Sequence, residues 1–180
     1  LLLTSMAVVR EREIGTMEQL MVTPIRPLEL ILGKTLPFVV ISYVDLVVVM
    51  LVAVHGFDIP IRGSGILLIF GAGLYLMSTI GVGLFISTIS MTQQQALMSS
   101  FFFFLPATLL SGFMFPIENM PDPAQWITYL NPLRYFLVII RDVFLKGSGI
   151  DLLWPQFMAL GILGTLVLAF SAVRFHKRID

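Results

Sequence analysis

The chain has 180 residues, 57% of them hydrophobic and 12% charged, with a mean hydropathy of +0.95. A soluble domain carries about a quarter charged residues, so this composition belongs to the membrane class. Formal net charge is zero, which leaves no basic surplus for nucleic acid, and the absence of cysteine excludes disulfides, thiolate metal sites and a cysteine nucleophile.

The opening residues LLLTSMAVV, 1–9, are apolar but too short to cross a bilayer core, which takes about twenty. They lack the basic start and the cleavage site of a signal peptide. They read as the end of a preceding span, so the chain is expected to be a fragment. Residues 10–34 then hold eight of the twenty-two charged side chains. Within them Thr16 and Gln19 have capping-box spacing, with Gly15 permitting a turn just before. Ile14, Met17, Leu20 and Met21 share one side, Pro24 ends the run, and Pro27 suits the first turn of the next helix. The prediction is a short amphipathic helix forming an elbow. Lipid-surface helices are normally rich in Lys and Arg, so mixed charge favours a protein partner over lipid.

Four spans of about twenty residues follow, at 35–55, 65–90, 96–115 and 152–173. Asp45 lies mid-way along the first, where a carboxylate is costly unless paired, protonated or facing water. It reads either as a pathway or coupling residue, or as a packing residue hydrogen-bonded through Ser42. Thr79, Gly83 and Ser87 recur every fourth residue in the second span, as do Gly161, Thr165 and Ala169 in the last. Such stripes permit close helix packing in lipid, within one subunit or between two. Pro106 is expected to kink the third span and free a carbonyl for a nearby hydroxyl.

The segment 116–151 is too short for a fifth span. Asp122-Pro123 and Asn131-Pro132 are helix-start signals, and PLRYFLVIIRDVFLK runs from Pro132 to Lys146 before a C-terminal Gly147. Arg134 and Arg141, seven apart, share a face, so this is expected to be a re-entrant or interfacial helix on the outer side. The even number of spans puts both ends on one side. Seven basic residues fall on that side, including the tail 174–180, against four on the other, which makes it cytoplasmic.

Enzymatic patterns are weak. LELILGKT ends like a phosphate-binding loop, but Leu28 stands where the first glycine is required. An aspartyl protease needs a second intramembrane carboxylate, and a serine protease could only pair Ser111 with His55. No catalytic residue, cofactor or metal site is assigned.

Two blocks carry a resemblance. EREIGTMEQLMVTPIRPLELILGKTLP and LLSGFMFPIENMPDPAQWITYLNPLRYFLVIIRDVFLKG are similar to the permease subunit of type-2 ABC exporters, of the bacterial drug-efflux-like branch. The resemblance spans the chain as the C-terminal half of such a permease. It implies an all-α polytopic membrane protein with about four full transmembrane helices, a coupling helix and a re-entrant outer helix. It further implies a bacterial inner-membrane subunit that exports drugs or other hydrophobic compounds, with a separate cytoplasmic ABC ATPase and a second permease subunit as partners. Glu11, Glu13, Gly15, Thr16, Glu18 and Gln19 would contact that ATPase, and Pro116, Asn131, Pro132, Arg134 and Arg141 would belong to the outer gate. A non-transporting membrane scaffold is the alternative, and an intramembrane serine protease a remote one.

Overall fold

A computed structural model describes the backbone of residues 1–15 and 27–176, and the side chains at 1–6, 9–10, 13–15 and 33–174. The regular elements there are all helical. They are α1 (Leu2–Ile14), α2 (Pro27–Gly56), α3 (Gly65–Ile89), α4 (Gln93–Leu109), a 3-10 turn (Ile117–Asn119), α5 (Asp122–Thr128), α6 (Pro132–Arg141) with a π-helical continuation (Asp142–Lys146), and α7 (Ile150–His176).

Among the described residues three stretches are long and apolar enough to cross a membrane: Gly33–Gly56, Gly65–Ile89 and Ile150–Arg174. The chain is therefore a polytopic helical membrane protein. The expected third span, 96–115, is shorter than its hydropathy suggests. Its helix, α4, has 17 residues and ends at Leu109, reaching about 25 Å at 1.5 Å per residue against a core about 30 Å thick. The chain then turns at Ser111 and Gly112, the latter with φ +81°, so the apolar run FMF belongs to the turn. Pro106 lies within α4, and Thr108 Oγ1 donates to the Phe104 carbonyl at 2.9 Å. A proline at 106 removes the bond to the carbonyl of Phe102, so this hydroxyl satisfies a different carbonyl from the freed one.

α3 is the central helix. It packs most extensively on α7, and also meets α1, α6 and α4. Small residues set these crossings. A Cβ on Gly81 would stand 3.0 Å from the Leu168 amide nitrogen, and one on Gly164 3.2 Å from Met77 Cβ. The Ser171 hydroxyl donates across the crossing to the Gly81 carbonyl at 2.7 Å. The four-residue stripes do not form this seam. Gly83 turns to Thr4 of α1, nothing would touch a Cβ on Gly161 within 4 Å, and Thr165 and Ala169 are exposed. The seam runs instead through positions seven apart, Gly71 and Ser78 on α3 and Gly164 and Ser171 on α7. Seven residues drift by only about 20° around a helix, so they stay on one line, whereas four-residue steps wander off it.

The core has two parts. Leu68, Ile139, Val143, Leu153, Phe157 and Leu160 form one between α3, α6 and α7. Val9, Val82, Ile86 and Ala96 form the other between α1, α3 and α4. The expected start signals hold. Asn131 Oδ1 accepts from the Leu133 amide with Pro132 in the first turn, and the run closes at Gly147, whose φ is +69° and whose amide donates to the Asp142 carbonyl at 2.8 Å. The segment 132–146 is thus packed into the bundle through Ile139 and Val143.

Candidate functional site

Three regions contain the residues singled out from the sequence. At the first, α1 runs on through Arg10, Glu11, Arg12 and Glu13 to Ile14. The charged stretch therefore begins as the last turns of α1 rather than as a new elbow helix, and Ile14 belongs to α1. A helix tolerates charges at its end as readily as apolar residues, so the change in composition at residue 10 is not a change in backbone. Gly15 makes the expected turn, with φ +80°. The capping pair Thr16 and Gln19, with Glu18, lies outside the described residues, as does the side chain of Glu11.

Glu13 is described, and it is engaged within the chain. Its Oε2 accepts from the Gln93 amide at 3.1 Å and from Gln93 Nε2 at 2.9 Å. The side-chain and then the backbone hydrogen bond from Gln93 hold the Glu13 carboxyl below its ordinary range. Gln93 opens α4, so the carboxylate sits on exposed helix-start amides, where negative charge is favoured. Beside it Thr92 caps α4, and Gln95 reaches back to the residue before the cap instead of to the cap amide of a full capping box. Thr92 Oγ1 accepts from the Gln95 amide at 3.2 Å, and Gln95 Oε1 accepts from the Met91 amide at 2.8 Å. Gln93 was not anticipated, although the T-x-x-Q signature at Thr92 is legible in the sequence.

The second region is a cavity of about 510 Å³ between α2, α3, α4 and α6. Asp45 and Ser42 line it from α2, Tyr75 and Thr79 from α3, Phe103 and Phe104 from α4, and Phe136 from α6. Tyr75 stacks on Phe136 with ring centroids 4.8 Å apart. The Ser42 hydroxyl donates to the Phe38 carbonyl at 2.8 Å, so the proposed Ser42–Asp45 hydrogen bond is not formed. A backbone carbonyl one turn earlier is the nearer partner for a helical serine. Nor were the four aromatic rings foreseen, because they come together only through packing.

The third region joins the turn after α4 to α6. Asn131 Nδ2 donates to the Ala107 carbonyl of α4 at 2.6 Å, and Arg141 Nη2 donates to the Gly112 carbonyl at 2.8 Å. Arg134 donates to Thr128 Oγ1 and lies over the Tyr129 ring at 4.1 Å from its centroid. Pro116 precedes the 3-10 turn. Both arginines thus reach protein groups. Ser111, the serine of the protease alternative, is buried; it donates to the Thr108 carbonyl at 2.6 Å and accepts from the Phe113 amide. His55 contacts the Leu51 carbonyl of its own helix. Each is used in local backbone capping, and they do not pair with one another.

Residues 1–145 match the family described as ABC-2 type transporter. The chain belongs to that family. Among its relatives, the "Probable multidrug ABC transporter permease YbhR" of Escherichia coli K12 is 34% identical over 179 residues, 99% of this chain and 49% of the relative. The "Probable multidrug ABC transporter permease YbhS" of the same strain is 37% identical over 183 aligned positions, covering 99% and 48%. The "Inner membrane transport permease YhhJ", also from that strain, is 35% identical over 183 positions with the same coverage. The chain spans about half the length of the curated relatives it matches. No solved structure matches this ABC-2 type chain. The family match and the three apolar helices together make it a multi-pass membrane protein.

Proposed function

We propose that this chain is the C-terminal half of the permease subunit of an ABC exporter in the bacterial inner membrane. The observation that carries this reading is the ABC-2 match over residues 1–145, set on a helical membrane fold whose relatives bear permease names. ATP hydrolysis belongs to a separate cytoplasmic ATPase subunit, and two permease subunits face each other across the path. Both ends of the chain lie in the cytoplasm, the side on which basic residues accumulate. Hydrophobic compounds, drugs among them, are the substrate class suggested by the relatives' multidrug names.

In this reading the ATPase docks on the last turns of α1 and the charged segment after it, through Glu11, Gly15, Thr16, Glu18 and Gln19. Glu13 has a second task, since its carboxylate ties the end of α1 to the start of α4. Movement of the docked segment is thereby passed to α4, which lines the Asp45 cavity and whose far end is held by Asn131. At the outer end Pro116, Pro132, Arg134 and Arg141 belong to the gate, where the re-entrant helix braces the turn after α4.

Glu18 offers the cleanest test, because it lies beyond the α1–α4 contact. In the complete permease reconstituted with its ATPase, Glu18→Lys is expected to abolish substrate-stimulated ATP hydrolysis while membrane insertion and yield stay normal. Undiminished stimulation in that variant would remove the docking assignment.

A further inference from the structure

The Asp45 cavity poses a question that the permease reading leaves open, namely what a lone carboxylate is doing among aromatic rings. The other polar groups of the lining are largely occupied. Ser42, Ser78, Thr79 and Thr108 each donate to a carbonyl of their own helix, at 2.8, 3.5, 3.0 and 2.9 Å. Asn131 uses its oxygen on the Leu133 amide and its nitrogen on the Ala107 carbonyl. Among the described residues, Asp45 makes no hydrogen bond or ion pair, and no Lys, Arg or His lines the cavity. Asp45 is exposed and lines the cavity. An intramembrane carboxylate without a partner among the described residues is of the kind that marks a substrate or ion pathway.

Size and chemistry narrow that substrate or ion. The cavity, at about 510 Å³, falls within the range of small-molecule sites, about 300–1,000 Å³. A bare metal ion fits it poorly, because hard cations take several oxygen ligands and here one carboxylate stands among hydroxyls already turned to backbone. Phe103, Phe104 and the stacked Tyr75–Phe136 pair line the same space. Ring faces attract a positive charge and also cover apolar surface. A neutral apolar compound would use the rings but leave the carboxylate unpaired, and an anion would be repelled by it.

We infer that this cavity binds a monovalent organic cation with an aromatic body, its charge on Asp45 and its rings among Phe103, Phe104 and the Tyr75–Phe136 stack. The inference rests on the permease reading above and assigns a substrate class to it. Charge selects the ligand and the apolar lining holds it, so no additional hydrogen-bonding group is needed.

The test uses the complete permease copurified with its ATPase in lipid nanodiscs, with tetraphenylphosphonium as the cation and triphenylphosphine oxide as a neutral compound of similar shape. Binding is measured by equilibrium dialysis. Asp45→Asn is expected to weaken cation binding by at least about tenfold, as loss of one partner of a desolvated charge pair does. Asp45→Glu should stay within about threefold, since it keeps the charge, and Phe104→Ala should weaken the cation at unchanged net charge. The neutral compound should bind wild type and Asp45→Asn alike. Wild-type protein that does not bind the cation would overturn the site, and so would equal cation binding by wild type and Asp45→Asn. A normal elution profile for Asp45→Asn on size exclusion, with Asp45→Glu binding retained, separates loss of charge from misfolding. Copurification of the wild-type permease with its ATPase reports separately on the permease reading. That association can persist while cation binding fails, and the same dialysis on the permease purified alone reads cation binding where the association fails.

Discussion

Glu13 shows how one side chain's role depends on where its helix ends. With α1 stopping at Arg10, Glu13 would be one more charge on a docking surface. With α1 continuing to Ile14, its carboxylate reaches the first amide of α4 and the Gln93 side chain. The contact titrates with a known sign. The Glu13 carboxyl is held below its ordinary range, so its stabilising effect is complete above that range and is lost as pH falls through the depressed value. Hydrogen exchange at the start of α4 should therefore be faster in Glu13→Gln than in wild type at neutral pH. The difference should shrink as pH falls below the ordinary carboxylate range and the Glu13 carboxylate takes up its proton. A difference that persists there would mean that the charge is not what holds the contact. Because the group is exposed, salt should also narrow the gap at neutral pH.

Helix pairs are where small residues acquire meaning. Gly81 and Gly161 look equivalent in the sequence, each a glycine inside an apolar span. A side chain at Gly81 would run into the backbone of Val167 and Leu168, whereas one at Gly161 would meet nothing within 4 Å. Gly81→Leu is thus expected to force the α3–α7 pair apart and to lower stability by about 1–3 kcal/mol, the usual cost of overpacking. Gly161→Ala should cost nothing and can gain up to about 1 kcal/mol from helix propensity. Thermal unfolding of both variants in one detergent checks the contrast, and a comparable loss at the two positions would contradict the crossing. Element starts and stops were largely legible: Pro27 and Pro132 at first helical turns, Asn131 as a cap, and Gly15 and Gly147 at left-handed turns. They rest on chemistry confined to a few neighbouring residues. The length of α4 was not, because hydropathy runs smoothly past Leu109 while the backbone turns at Ser111 and Gly112. The helix seam was not legible either, since spacing lists the small residues of a helix without saying which face meets a neighbour.

At the scale of the molecule, the proposed arrangement in the membrane rests on where the basic residues fall and can be tested directly. The chain contains no cysteine, so single cysteines can be introduced without background labelling. Cysteines at Asp58 and Trp126 should react with a membrane-impermeant maleimide added to spheroplasts, and one at Asp180 should react only after permeabilisation. Labelling of Asp180Cys in intact spheroplasts would reverse the assigned orientation. The same scale separates the two sources of knowledge about this ABC-2 type chain. Composition and hydropathy by themselves determined that it is a helical membrane protein, where its helices begin, and that a carboxylate stands alone in a span. Those properties are additive along the chain or local to a turn. Only the tertiary structure decided that Glu13 holds the start of α4, that Gly81 and Gly164 sit in the crossing of α3 and α7, and that Asp45 shares a cavity with aromatic rings from three other helices. Each of these joins residues far apart in sequence, and such meetings are set by the directions in which whole helices pack.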